Sequence, residues 1–227
     1  MPENRSVNNR RMIRVHPDHP APGDIRRAAA VIGNQGVVVF PTRCLYGLAA
    51  DACDPAAIKK IFQIKHRPGT NPLLILFHNH SDLENFVTHI PAPAQKLMQV
   101  IWPGGLTLVF EAKPGVCSLL TAGTGRIGVR IPSHPVARAL VKAVGRPITG
   151  TSANMSGEPG CSCIPDLPHA LIQAVDLVLD AGPLKGGTGS TVLDITSHPF
   201  QVLRPGAVSI EMVQQAIGNS NVKMGTP

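Results

Sequence analysis

Short apolar runs alternate with helix-spaced ones along most of this chain. Residues 37–40 form an apolar run bounded by Gly36 and Pro41, a pattern that predicts a buried strand. Residues 11–15, 73–77, 106–110, 126–131, 147–152, 176–180, 191–195 and 202–204 read as further strands. Between them Ile25, Ala28, Ala29 and Ile32 recur at the spacing of one helix face, predicting a helix over 22–34. Asp54-Pro55 opens another helix, with aspartate as the cap and proline at the first helical position. Ile58, Ile61 and Phe62 give it an apolar face, and Pro68-Gly69 ends it. Helices are also expected from Ser81-Asp82 onward and over 91–101, 135–144 and 209–217.

Strands and helices mix without a strict βαβ repeat, and no internal repeat or long linker divides them. The expected class is α/β: a single domain over 11–217 with a mixed, strongly twisted β-sheet flanked by helices. Residues 1–10 read as a flexible basic N-terminal tail and 218–227 as a flexible C-terminal tail.

Composition narrows the function. Hydrophobic residues make up 43% of the 227, enough for a proper core and too many for general disorder. The longest apolar runs are far too short to span a bilayer, and the N-terminus lacks a secretory signal, so a cytoplasmic location without membrane attachment is expected. The five cysteines form no CxxC pair, which fits reduced thiols better than a disulfide framework. The formal charge of +7, from 21 Lys+Arg against 14 Asp+Glu, suits a polyanion such as a nucleotide triphosphate or an RNA. Aromatic residues are only 4%, which argues against a stacking platform for single strands.

Several segments could carry chemistry. Lys65-His66-Arg67 falls in the last turn and exit of the helix opened by Asp54. It reads either as a solvated cationic helix end stabilised by the helix dipole, or as an ammonium and a guanidinium converging on phosphate oxygens. Thr149-Gly150-Thr151-Ser152-Ala153-Asn154 is either a strand entering a polar turn, or a cradle of Ser152, Asn154 and backbone N–H groups for phosphate. Gly186-Gly187-Thr188-Gly189-Ser190-Thr191 is no Walker loop, because no lysine follows the glycines and a strand follows in place of a helix. A glycine-rich hairpin is one reading; a loop closing over a small ligand with Ser190 pointing in is the other. Arg126 and Arg130 share one face of their strand and, with Arg204, could form an anion-binding site. His78 and His80 make a solvated strand end or a metal pair. No Ser/His/Asp order, HExxH or Rossmann fingerprint is present.

The order of the segments carries more than any one of them. Gly36-Val37-Val38-Val39-Phe40-Pro41-Thr42 leads to Leu45-Tyr46-Gly47-Leu48, then to Lys65-His66-Arg67 and Asn71-Pro72-Leu73. Trp102-Pro103-Gly104, Leu106-Thr107-Leu108-Val109, Gly128-Val129-Arg130-Ile131-Pro132 and His134-Pro135 follow. Thr151-Ser152-Ala153-Asn154, Gly189-Ser190-Thr191-Val192 and Leu203-Arg204-Pro205-Gly206 close the series. In this order the chain resembles the YrdC family of threonylcarbamoyl-AMP synthases from about residue 11 to residue 217, in its single-domain form.

The resemblance implies a YrdC-like fold with a basic concave cavity. It also implies a nucleotidyltransferase reaction: L-threonine, bicarbonate and ATP, the last with Mg²⁺, give threonylcarbamoyl-AMP and pyrophosphate. The product serves threonylcarbamoyladenosine modification of tRNA through a downstream threonylcarbamoyl transferase, and tRNA or double-stranded RNA is a candidate partner. Carried over by position, Lys65 and Arg67 are the catalytic cations. The ATP side is Lys65, Arg67, Asn71, Arg126, Ser152, Asn154 and Arg204; the threonine side is Thr42, Cys44, Arg130, Gly150 and Ser190. No protein side chain is identified as a metal ligand. The chain departs from the common family pattern at Arg43-Cys44, where an acidic residue and threonine are usual. It also departs at Leu76 (often histidine, with His78 two residues on and able to face the same way), Arg126 (often threonine), Gly105 (often proline) and Gly160 (often serine). Two other readings remain: a related carbamoyl-adenylate-forming enzyme acting on carbamoyl phosphate, and a non-catalytic module binding double-stranded RNA or tRNA.

Overall fold

Four helices that begin with proline in their first turn set the frame. In the computed structural model, which describes residues 11–218 and 222–225, α1 (Pro22–Gly33), α2 (Pro55–Lys65), α3 (Ala92–Ile101) and α5 (Pro135–Val144) all carry proline in the first turn. Proline suits that position because its missing N–H would have no helical partner there. The Asp54 side chain accepts from the N–H groups of Ala56 and Ala57, capping α2 as the sequence predicts. The shorter helices are α4 (Ser118–Thr121), α6 (His169–Ala174) and α7 (Ile210–Ile217).

The strands divide between two sheets where the sequence suggested one. The five-stranded sheet has the order β1-β9-β2-β3-β8, formed by β1 (Met12–Arg14), β2 (Val38–Pro41), β3 (Tyr46–Ala49), β8 (Thr151–Ser152) and β9 (Leu177–Asp180). The seven-stranded sheet has the order β12-β11-β10-β5-β6-β4-β7. It is formed by β4 (Ile75–Leu76), β5 (Leu106–Glu111), β6 (Arg126–Arg130), β7 (Ile148–Thr149), β10 (Thr191–Asp194), β11 (Phe200–Arg204) and β12 (Val222–Met224). Both sheets mix parallel and antiparallel pairs. β12 pairs with β11, so part of the expected C-terminal tail is an edge strand; the expected N-terminal tail over 1–10 lies outside the described residues.

One large core lies between the sheets and α2, α3 and α7, and a second under α1 and α5. β2 belongs to both: Val39 faces the first core, Val38 and Phe40 the second. A strand covered on both faces reads as a continuous apolar run, which is why residues 37–40 do not alternate.

The chain changes sheets three times, after β3, β7 and β9, and the last two crossings border the site. Residues 147–152, expected as one strand, split at Gly150 into β7 in one sheet and β8 in the other. The glycine-rich stretch between β9 and β10 likewise crosses between sheets, which removes the hairpin reading. Gly150 N–H donates to Leu74 C=O at 2.9 Å, and a Cβ here would stand 2.6 Å from Leu74 Cδ1 and 2.8 Å from Leu76 Cγ. Leu76 is fully buried, so it has little room to yield. Overpacking of this kind costs about 1–3 kcal/mol. Gly150→Ala is therefore expected to lower stability by about that amount, read as a lower urea midpoint with an unchanged denaturant slope.

Candidate active site

Residues of both sheets, among them Tyr46 and Ser152 of one and Thr107, Arg130 and Asp194 of the other, line a cavity of about 1040 Å³. Arg43, Arg67, Arg126, Arg130 and Arg204 line it, against the carboxylates of Glu158 and Asp194. Such an excess of guanidinium groups in a partly enclosed space focuses a positive potential on whatever enters.

Lys65 is the residue on which one wall is built. The α2 cap fixes the phase of the helix so that Lys65, in its last turn, points inward and is 1% exposed. His66 then takes a left-handed conformation and ends the helix. The Lys65 ammonium donates to Ser152 C=O at 2.5 Å, Asn154 C=O at 2.6 Å and Asn154 Oδ1 at 3.0 Å. Its own carbonyl accepts from Ser156 N–H at 2.9 Å. Burial pushes its pKa down to about 8, and the nearby Arg67 charge adds to this. The loop is cross-braced further: Ser152 Oγ donates to Asn154 Oδ1, and Asn154 Nδ2 donates to Glu158 C=O. Ser152 and Asn154 line the cavity; Lys65 does not, and stands behind them with all three donors occupied. Its influence on a ligand runs through the shape of the loop.

Arg67 does line the cavity. It is oriented by donating from Nε to Asn71 C=O at 3.1 Å and from Nη2 to Pro72 C=O at 2.8 Å. Burial lowers its pKa, and the charge of Arg204 lowers it further. Arg204, at the end of β11, donates from Nε and Nη2 to Ser190 C=O at 3.2 and 2.9 Å. Nη2 also reaches Ser190 Oγ at 3.2 Å, and that hydroxyl shares a 2.8 Å hydrogen bond with Thr107 Oγ1. Partial burial lowers the Arg204 pKa.

Arg130 is the group left unsatisfied. Its Nε is shut off from solvent and has no hydrogen-bond partner. Burial pushes its pKa down to about 10, Arg204 adds repulsion, and Cys44 opposes the shift. A buried donor left unpaired costs free energy that an acceptor in the cavity would recover. Arg126, on the same face of β6, is committed elsewhere: its Nη1 pairs with Asp194 Oδ2 at 3.0 Å.

The remaining expected residues fall on the same cavity. Thr42 and Cys44 sit in the turn between β2 and β3, where Thr42 Oγ1 donates to Leu45 C=O at 2.6 Å and Cys44 C=O accepts from Gly186 N–H at 3.0 Å. Asn71, Gly150 and Ser190 also line it, so Lys65 alone among the expected residues stands outside. His78 has a buried, unpartnered Nδ1, and His80 packs its ring on Trp102. Among the described residues no cluster of three or more His, Cys, Asp or Glu side chains could hold a metal ion. Sequence reasoning missed Thr107, Asp194 and Glu158 as lining residues. Thr107 and Asp194 are polar groups inside otherwise apolar strands, and that was the available signal.

Comparison with known proteins identifies the family and the fold. The Sua5_yciO_yrdC family model, described as telomere recombination, matches residues 30–206. The threonylcarbamoyl-AMP synthase of Bacillus subtilis is 39% identical over 202 residues, which cover 88% of this chain and 58% of that protein. The chain thus spans little more than half the length of that relative. The structure of Pyrococcus abyssi Sua5 complexed with L-threonine superposes with a TM-score of 0.86 at 35% identity, covering 93% of this chain and 62% of that one. Escherichia coli YciO superposes with a TM-score of 0.81 at 28% identity, covering 89% and 98% of the two chains. On the family match, these identities and the shared architecture, the chain belongs to the Sua5/YciO/YrdC family.

Proposed function

We propose that the protein is a threonylcarbamoyl-AMP synthase, which forms threonylcarbamoyl-AMP and pyrophosphate from L-threonine, bicarbonate and ATP. The observation that carries this reading is the cavity between the sheets, which places oriented guanidinium groups beside the loop braced by Lys65. The names of the similar Bacillus and Pyrococcus proteins support it. The product would supply threonylcarbamoyladenosine modification of tRNA through a downstream transferase, with tRNA or double-stranded RNA a candidate partner of the basic surface. No helix among the described residues is long and apolar enough to cross a membrane.

The chemistry needs position and charge more than a protein nucleophile. Amine and bicarbonate combine to a carbamate; a carbamate oxygen attacks the α-phosphorus, and the bond to the β-phosphate breaks with its electron pair leaving on pyrophosphate. Negative charge therefore grows on phosphate oxygens. Arg67 and Arg204, held in place by carbonyl groups before substrate arrives, are preorganised to meet it. Ser152 and Asn154 would hold the phosphates from the other wall, with Asn71 and Arg126 at its rim. Arg130, with its unpaired Nε, suits the amino-acid carboxylate because its fork matches that group; Thr42, Cys44, Gly150 and Ser190 would complete that pocket. Magnesium would enter on the triphosphate as part of the substrate. Asp194 is already engaged by Arg126 and Thr196, which leaves it poorly placed as a metal ligand.

The reading is tested by pyrophosphate release from the purified protein, which should require L-threonine and bicarbonate together. Release driven equally by carbamoyl phosphate without threonine would sink it in favour of the carbamoyl-adenylate reading. No release, together with salt-sensitive RNA binding, would favour the non-catalytic module. Arg67→Ala is expected to weaken ATP binding roughly 10- to 100-fold, the range for loss of a charged hydrogen bond; calorimetry giving an unchanged Kd would remove Arg67 from the site.

The Lys65 shift gives a pH dependence of known sign. Below about 8 the ammonium is intact and braces the loop; above it one donor is lost and the loop loosens. ATP affinity should fall as pH rises above about 8, and Lys65→Met should bind weakly at every pH without that limb. For stability the sign is opposite. The unfolded chain holds this proton more tightly, so burial of Lys65 opposes folding below about 8, and the opposition fades as pH rises towards the ordinary lysine value. A loss of affinity that merely tracked unfolding would therefore be told apart by circular dichroism on the same samples.

A further inference from the structure

Two of the arginines that line the cavity, Arg130 and Arg43, make no hydrogen bond or ion pair within the described residues; the others are held by carbonyls or by Asp194. Arg43 is exposed and leaves from a turn pinned on both sides. Thr42 N–H and Oγ1 both donate to Leu45 C=O, and Cys44 C=O accepts from Gly186 N–H. From the five-stranded sheet its guanidinium reaches across to the start of β5 in the seven-stranded sheet. A Cβ on Gly105 would stand 3.3 Å from Arg43 Nη1 and 2.9 Å from Ala207 Cβ, so the guanidinium lies directly against the Gly105 backbone. The group therefore reaches from one sheet to the other at the entry to β5, where Gly105 C=O accepts from Thr191 N–H and Thr107 hydrogen-bonds Ser190.

The substrate has a matching count of charges. Bicarbonate and the neutral amine of an amino acid combine as R–NH₂ + HCO₃⁻ → R–NH–COO⁻ + H₂O, which gives the amino acid a second carboxylate on its nitrogen. An N-carboxy amino acid is thus a dianion facing two uncommitted guanidinium groups. We propose that Arg43 binds the carbamate group of the N-carboxy amino acid while Arg130 holds its α-carboxylate. The step that follows keeps its balance: a carbamate oxygen bonds to the α-phosphorus, the bond to the β-phosphate breaks, and pyrophosphate departs with the electron pair. Arg43 holds the nucleophile before attack and needs no proton transfer. This inference rests on the synthase reading, and it assigns a substrate group to a residue at which this chain departs from the common family pattern.

The test is equilibrium binding, free of turnover, with two probes: L-threonine and N-sulfo-L-threonine, whose sulfamate is a stable anion bonded directly to nitrogen. Arg43→Gln should weaken binding of the sulfamate roughly 10- to 100-fold, as expected for a charged hydrogen-bond pair. L-Threonine and ATP should bind within about twofold of wild type, and Arg43→Lys should recover part of the loss. In pyrophosphate release the same variant should raise the KM for bicarbonate and leave the KM for ATP in place. Equal binding of the sulfamate by wild type and Arg43→Gln would overturn the assignment. Weakened ATP with unchanged sulfamate binding would overturn it too, by moving Arg43 to the phosphates. A wild-type protein that binds neither amino-acid probe would overturn both this inference and the synthase reading, whereas normal threonine-dependent release with no Arg43 effect would remove this inference alone.

Discussion

A buried ammonium ion with three oxygen acceptors is the constraint on which the site depends. An isolated charge cannot be taken out of water without large cost, so Lys65 must keep its acceptors, and all three come from Ser152 and Asn154. The requirement reaches in both directions along the chain. Backwards, it needs α2 in the correct rotation, which Asp54 and Pro55 set at the far end of the helix. Forwards, it needs residues 152–156 folded back over the helix end, which follows only if the chain leaves one sheet and joins the other at Gly150. A cap, a lysine and a glycine, separated widely in sequence, are therefore one device.

The opposite wall is organised differently. Ser190 receives Arg204 on its carbonyl and hydroxyl, and Thr107 takes the rest of the hydroxyl's capacity. Tyr46 performs a comparable service for the neighbouring crossover. Its hydroxyl donates to Gly182 C=O at 2.7 Å and accepts from Ala181 N–H at 3.0 Å, and burial pushes its pKa up to about 12. Each wall thus lies beside a crossing between sheets and is tied down by polar side chains. A cavity made this way keeps its shape without ligand, which is what electrostatic preorganisation requires.

Much of this was legible in the sequence, for physical reasons. Helices α2 and α5 announce themselves through proline in the first turn and a clean apolar face. The cationic end of α2 and the Thr151–Asn154 segment were visible as polar groups at element ends. Three things were hidden. β3 is Tyr46-Gly47-Leu48-Ala49, buried on both faces, so it shows no alternation to mark it. The division into two sheets depends on partners far away in sequence, and the single residue that permits the crossing, Gly150, looks like any strand glycine. The direction of Lys65 was hidden as well. Its place in the last turn was readable, but an exposed and a buried lysine at that position have the same sequence, and only packing turns this one inward, away from the role of direct phosphate ligand.

The row of guanidinium groups has a thermodynamic consequence beyond catalysis. The charge of Arg204 repels both Arg67 and Arg130, and each of the three has its pKa lowered by burial. Relief comes with an anion, so folding and occupancy are linked. Any ligand that binds only the folded chain adds stability with the logarithm of its concentration, about 2.7 kcal/mol at a hundred times its Kd. A protein built around such a site is held together in part by the anions it binds. Supply of an anion that fits the cavity then becomes part of what sets the protein's resistance to unfolding.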